Sequence, residues 1–232
     1  LKTLLVRLEG PLQSWGTQGR FGIRDTDREP SKSGVLGLLG AALGMARDDD
    51  AQLATLRQLS FAVRVDREGT ILRDYHTVGG GTFRGQPHGV ASEGKAGSTA
   101  LTQRYYLQDA SFLVGLGSDD GEFLTRIGAA LDAPRWPLSL GRRSCALSAR
   151  PFVGIVDGAP REALERFVPL VPRESGRKEE LPAEVRLVFE TDAIQGAPRQ
   201  DEPESFALYG RRHLVRYVSS TFVKTEGLVP CT

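Results

Sequence analysis

Cysteine is nearly missing from this 232-residue chain, which has only 2, Cys145 and Cys231, far apart. That pair supports neither a disulfide scaffold nor a CxxC zinc site. Histidine is almost as scarce, and His76, His88 and His213 are too scattered to nominate a metal site. An excess of charge of one sign is lacking too. Lys+Arg number 30 against 29 Asp+Glu, a formal net charge of +1. The molecule is no polycation, so any binding to nucleic acid has to come from a local patch. Lysine is thin within that total (Lys2, Lys32, Lys95, Lys178, Lys224), and arginine carries nearly all the positive charge. Its planar, forked donors suit phosphates and base edges.

Long apolar runs are absent as well. The most apolar stretch, Gly34 to Ala46, is too short and too rich in glycine to span a bilayer. No charged leader followed by an apolar segment opens the sequence, so the expectation is a reduced, cytoplasmic protein with no membrane association. "SKSG" lacks the GxxxxGK[ST] frame, no GxGxxG follows a strand, and there is no GxSxG elbow. These absences argue against common nucleotide-binding loops and Ser–His–Asp hydrolysis.

What remains is ordinary globular material, 40% hydrophobic and 25% charged. "TLLVRLEG" alternates as a strand, with Leu4, Val6 and Leu8 on one face. "SKSGVLGLLGAALGMA" has apolar residues at helical spacing after Pro30 and a serine cap at Ser31 or Ser33. Its interior glycines each cost roughly 1 kcal/mol against alanine, which predicts that another backbone packs very close to this helix. "DDDAQLATLRQL" reads as a short amphipathic helix, its aspartates suited to the N-terminus. "FAVRVD" and "TILRDYHTV" read as strands around a turn at Arg67 to Gly69. "LTQRYYLQDA" and "SFLVGLG" are further strands, and "DDGEFLTRIGAALDAP" is a helix. A last strand near Phe152 to Val156 completes the order β, α, β, β, α, β. That predicts an α+β fold with a ferredoxin-like core over residues 1–157 and a small, strand-rich C-terminal subdomain over 158–232.

Between the strands, Gly79 to Ala100 is rich in Gly and Ser without core periodicity. Its composition cannot offset the entropy of ordering it alone, so it is expected to order only on assembly.

The basic loops carry the chemistry. In "PRWPLSLGRRSCAL" two arginines, Arg142 and Arg143, follow Gly141 inside a proline-bounded segment and precede Ser144. Such a loop is either a solvated turn with a salt bridge or an anion site of guanidinium forks and open amides. "PSKSG" adds Ser31, Lys32, Ser33 and Gly34 at a helix N-terminus, a natural phosphate seat. "QRYY" sets Arg104 beside Tyr105 and Tyr106, one of which could stack on a base or fill the core. His76, in "RDYHTV", reads either as a general acid for RNA cleavage or as a histidine hydrogen-bonded at a strand end. Trp15, Trp136 and Phe21 read as core caps.

Four stretches in order, "RLEGPLQSWG", "PSKSGVLGLLGAALG", "LRDYHTV" and "LGRRSCAL", together resemble the CasD family of the type I-E CRISPR surveillance complex, Cascade. The resemblance covers the first two-thirds of the chain. It implies an RRM-related core of the repeat-associated mysterious protein superfamily, with a long β-hairpin thumb at about 76–108. It implies a non-catalytic subunit that holds the 5′ handle of the CRISPR RNA. The implied partners are a CasC-type backbone subunit, a CasA-type large subunit and, indirectly, target DNA. No cofactor, metal or catalytic residue is implied. On this reading the candidate RNA contacts are Arg20, Arg24, Ser31, Lys32, Ser33, Gly34, Arg84, Arg104, Tyr105, Arg142, Arg143 and Ser144. The alternatives are a metal-independent endoribonuclease acting on repeat RNA, as relatives in another CRISPR subtype do, and an unrelated RNA-binding module.

Overall fold

A computed structural model describes residues 1–16, 22–79, 82–87, 99–167 and 182–226. The expectation of a segment that orders on assembly falls largely outside these residues, as do Arg20 and Phe21. The first half of the chain gives β1 (Lys2–Glu9), β2 (Leu12–Gln13), β3 (Ile23–Arg24), α1 (Lys32–Leu43), α2 (Asp50–Arg57) and β4 (Ser60–Arg67). Then come β5 (Thr70–Gly79), β6 (Thr82–Phe83), β7 (Gln86–Pro87), β8 (Thr99–Gln108), β9 (Ser111–Ser118) and α3 (Gly121–Asp132). The remainder gives β10 (Phe152–Asp157), α4 (Pro160–Arg166), β11 (Glu184–Thr191), β12 (Ala197–Ser205) and β13 (Arg212–Lys224).

The fold is mixed α+β, dominated by antiparallel sheet. Seven strands form one sheet in the order β10-β1-β9-β4-β11-β13-β12. Strand β1 lies one place in from the β10 edge, and its sequence shows why it is covered on both faces. Leu4, Val6 and Leu8 enter the large core with Val35, Leu36 and Leu39 of α1 and Leu124 and Ile127 of α3. Leu5 points the other way and packs with Ala163 and Leu164 of α4. A strand apolar on both faces belongs inside a layered fold, where each fully buried leucine contributes about 1.5–3 kcal/mol. The residues after 157 are not set apart from the sheet, because β11 pairs antiparallel with β4 and the sheet runs on without a break. Arg64, 0% exposed, anchors α4 from below. It pairs with Asp66 at 2.6 Å and donates to the carbonyls of Leu164 (2.7 Å) and Phe167.

A second sheet is built on a long hairpin. Strands β5 and β8 pair antiparallel from Thr70↔Gln108 to Gly79↔Thr99. The tight turn before it uses Gly69 at φ +70°, as the sequence predicts. Strand β3 lies parallel to β8, with Ile23 opposite Gln103 and Arg24 opposite Arg104.

Helix α1 begins at the expected serine cap and ends at Leu43, short of the stretch that reads as helical. The Ser31 hydroxyl accepts from the Gly34 amide at 3.2 Å, and Gly44 closes the helix at φ +75°. The expectation of a second backbone against its glycines fails. An added Cβ at Gly34 would meet the Trp15 ring at 2.8 Å, and one at Gly40 would meet the Met45 side chain at 2.7 Å. At Gly37 it would reach only Phe206, at 3.9 Å. Side chains fill part of this face, and the rest is open.

The start of α1 is gripped by the C-terminal strands. The Lys32 amide donates to Asp201 Oδ2 at 2.9 Å, and the same carboxylate holds Arg216 at 2.6 and 2.9 Å. The Lys32 ammonium is buried against Glu190 at 2.8 Å, with Glu202 at 3.9 Å. Burial alone would raise the Asp201 carboxyl, but the Arg216 hydrogen bond and charge, the Lys32 amide and Arg199 hold it below the usual carboxylate range.

Two expected outcomes follow from this grip. Lys32→Glu sets a carboxylate among Glu190, Glu202 and Asp201, and should cost about 3–5 kcal/mol, read as a lower denaturant midpoint. Asp201→Asn should lose on the order of 3 kcal/mol at neutral pH by leaving Arg216 without its buried carboxylate. Because the folded carboxyl lies below its unfolded value near 3.9, its contribution is full above that pH and fades as pH falls below it. The stability gap between wild type and D201N should therefore narrow on acidification below about pH 4.

Candidate nucleic-acid interface

The loop from Pro134 to Leu147 is fixed at several points. Its lead-in is tied to α1, since the Arg135 and Trp136 amides donate to Ala42 O (2.9 Å) and Ala41 O (3.1 Å). Leu140 N donates to Cys145 O at 2.8 Å and Cys145 N to Arg142 O at 2.9 Å, which closes a tight turn. Ser14 N donates to Leu140 O at 3.0 Å and moors that turn beside β2. Gly141 has φ +84°, and any Cβ there would strike the Ser14 carbonyl, so only glycine fits. Cys145 is buried beneath the turn, and burial pushes its thiol pKa up despite nearby Ser144 and Arg142.

Arg142 is held as firmly as the backbone. Its Nη2 donates to Arg24 O (2.8 Å) and Asp25 O (3.2 Å), and its guanidinium lies 4.6 Å from the centroid of the Tyr106 ring. The other terminal nitrogen, Nη1, is buried with no hydrogen-bond partner among the described residues. Arg143, next in sequence, is exposed.

These residues wall a cleft of about 1090 Å³ between the arginine turn, α1 and the start of β13. Its floor is the open face of α1, with Gly34, Gly37, Gly40 and Ala41. Around it stand Arg24, Arg47, Arg142, Arg143 and Arg211, with Asp25 the carboxylate among its lining residues. Trp136, 43% exposed, stands at the rim instead of capping the core, while Trp15 is buried as expected. Guanidiniums this dense, above a floor that Trp15 and Met45 partly fill and that stays open at Gly37, suit a polyanion that approaches closely.

The structure brings half of the sequence-derived candidates together. Arg24, Ser31, Ser33, Gly34, Arg142 and Arg143 line this one cleft. Lys32 does not. Its ammonium, 4% exposed, turns toward the C-terminal carboxylates. The expected phosphate seat at the α1 N-terminus is likewise filled from within, because Asp201 and the Ser31 hydroxyl take the Lys32 and Gly34 amides. Arg84 sits in the β6–β7 turn at φ +53°, away from the cleft lining. Arg104 lies on the hairpin and donates to Thr102 Oγ1 at 3.2 Å. Tyr105 faces opposite to Tyr106, and it is Tyr106, buried, that stacks under Arg142. Ser144 is exposed beyond the cleft lining. Arg20 lies outside the described residues.

Sequence reading misses Arg47, Trp136, Phe206, Arg211 and His213, all of which line the cleft. One signal is available for two of them: "YGRRHL" repeats the Gly-Arg-Arg of "LGRRSC". His213 is partly buried, and burial with the charge of Arg211 lowers its pKa, against a weaker pull from Asp201. His76 is half-exposed on β5 with Nδ1 3.4 Å from Asp74 Oδ2. Among the described residues no group of three His, Cys, Asp or Glu side chains is placed to hold a metal ion, and no helix is long and apolar enough to cross a membrane.

Known proteins resemble this chain over most of its length. The CasD subunit of the CRISPR system Cascade of Escherichia coli (strain K12) is 40% identical over 181 residues, 72% of this chain and 77% of that protein. A chain of a "CRISPR RNA-guided surveillance complex" superposes with a TM-score of 0.80 at 32% identity, covering 98% of this chain and 92% of that one. A structure described as "Crystal structure of Cas protein" gives a TM-score of 0.74 at 35% identity, with 98% of both chains covered. The profile of the family "CRISPR-associated protein (Cas_Cas5)" matches residues 3–219, nearly the whole described chain, and the chain belongs to that family.

Proposed function

We propose that this chain is a non-catalytic, CRISPR RNA-binding subunit of a Cascade-type surveillance complex and that the arginine-walled cleft holds the 5′ handle of the guide. The observation that carries this reading is the cleft itself. Five arginines line one cleft beside the glycine face of α1, in a protein whose net charge is only +1. In the β10-β1-β9-β4 portion of the sheet, the strand order with α1 and α3 on one face supports a ferredoxin-like, RRM-related core. The β5–β8 hairpin is then the stem of the thumb. One face of the sheet it forms with β3 carries exposed Ile23, Tyr75 and Leu101, an apolar surface suited to a CasC-type backbone subunit or a CasA-type large subunit. Target DNA is met indirectly, through the guide, and the complex works in the cytoplasm.

The endoribonuclease reading keeps one observation in its favour, the half-exposed His76–Asp74 pair. Incubation with repeat RNA in the presence of a chelator separates the two readings. A binder protects the RNA and leaves its length unchanged, whereas a metal-independent nuclease shortens it.

The arginine turn should dominate binding to phosphate. The log–log salt slope for single strands is about −0.7 per phosphate neutralised, so Arg142→Ala with Arg143→Ala should flatten it by on the order of 1. Arg143 alone should account for much of that change, because Arg142 is already committed to two carbonyls and a ring. Fluorescence anisotropy across a salt series checks this, and an unchanged slope and affinity would return the loop to a solvated turn.

A further inference from the structure

Gly-Arg-Arg occurs twice in this chain, at Gly141–Arg143 and at Gly210–Arg212, 69 residues apart in number (210 − 141). Both glycines take left-handed backbone, φ +84° and +97°. Arg142 and Arg143 stand on one side of the cleft, and Arg211 belongs to the same cleft from the C-terminal strands.

We propose that Arg211 is the opposing jaw of the RNA cleft and grips a backbone phosphate of the strand held by Arg142 and Arg143. The proposal rests on the reading of the cleft as an RNA site and gives the C-terminal strands a part in it. Three observations on the second turn support it. Arg211 is exposed, and among the described residues no carboxylate pairs with it. Its neighbour Arg212 is spent elsewhere, with Nε 2.8 Å from Glu204, and does not line the cleft. The base of the turn is rigid, since β12 and β13 pair through Ser205↔Arg212 and Pro203↔His213, a few residues from the buried Asp201–Arg216 pair.

The chemistry of the ligand follows from the spacing of charge. One arginine jaw could hold a free phosphate or a small anion. Two arginine turns lining one cleft suit a ligand with successive phosphates and a thin, extended backbone, which a single RNA strand provides. His213, behind Arg211, is held toward its neutral form by burial and by the Arg211 charge, so it offers a hydrogen bond without adding to the repulsion.

Adjacent arginines give the test its own control. This chain with Arg211→Ala, with Arg212→Ala, and unaltered would each be titrated with a labelled single-stranded RNA of about eight nucleotides across a salt series. Melting curves show that each variant is folded. Arg211→Ala should flatten the log–log salt slope by about 0.7, one phosphate, and weaken binding alike for different sequences. Arg212→Ala, which removes the same charge one residue away, should keep the unaltered slope. Equal slopes for Arg211→Ala and the unaltered chain, or equal losses in both variants, would overturn the jaw. If the unaltered chain shows no salt-dependent RNA binding, the reading of the cleft itself fails and the jaw with it. If only the Arg142 and Arg143 variants lose slope, the cleft stands and the jaw alone is refuted.

Discussion

The carboxylate of Asp201 holds the Lys32 amide at the start of α1 and the guanidinium of Arg216 on β13 at the same time. This buried contact joins the helix that floors the cleft to the strands that close its far side. Glu190 reinforces it by taking the Lys32 ammonium at 2.8 Å and the Phe61 amide at 3.0 Å. Breaking such a network leaves a charge buried without compensation, which is why it sets the position of both walls. Arg211 and His213 follow β12 by a few residues, so their placement over α1 depends on the same grip.

The network also explains how a nearly neutral protein presents a basic cleft. Many of its carboxylates are consumed away from the cleft: Glu29 pairs with Arg186 and Arg199, Asp66 with Arg64, and Asp201 with Arg216. What remains around α1 is a cluster of guanidiniums with Asp25 as their acidic neighbour. Like charges held this close repel one another, and a bound polyanion relieves that repulsion while releasing its counterions. Arg142 shows how the repulsion is borne without a ligand, since the Arg24 and Asp25 carbonyls and the Tyr106 ring hold it in place.

Local chemistry is what the sequence makes legible. Ser31 marks the start of α1 because capping needs only neighbours in the chain. Gly69 marks its turn for the same reason. The arginine turn can be found because glycine and proline fix it locally. Lys32 defeats this kind of reading. Its partners Glu190 and Asp201 lie 158 and 169 residues away, and nothing in "PSKSG" distinguishes a buried ion pair from an open phosphate seat. The α1 glycines mislead similarly, since small residues signal close approach but not whether a side chain, a backbone or a ligand does the approaching. The C-terminal half of the cleft is hidden because it forms only when β11 adds to β4 and extends the sheet.

The central claim is that RNA runs through the cleft between the arginine turn, α1 and the C-terminal turn. Ultraviolet cross-linking of bound RNA to this chain in its assembled complex, with the attached peptides identified by mass spectrometry, tests it most directly. Cross-linked peptides are expected from Trp136 to Arg143, from Arg24 and Asp25, and from Phe206 to His213. Cross-links confined to α3, β10 and the opposite side of the sheet, with none in those three segments, would contradict it.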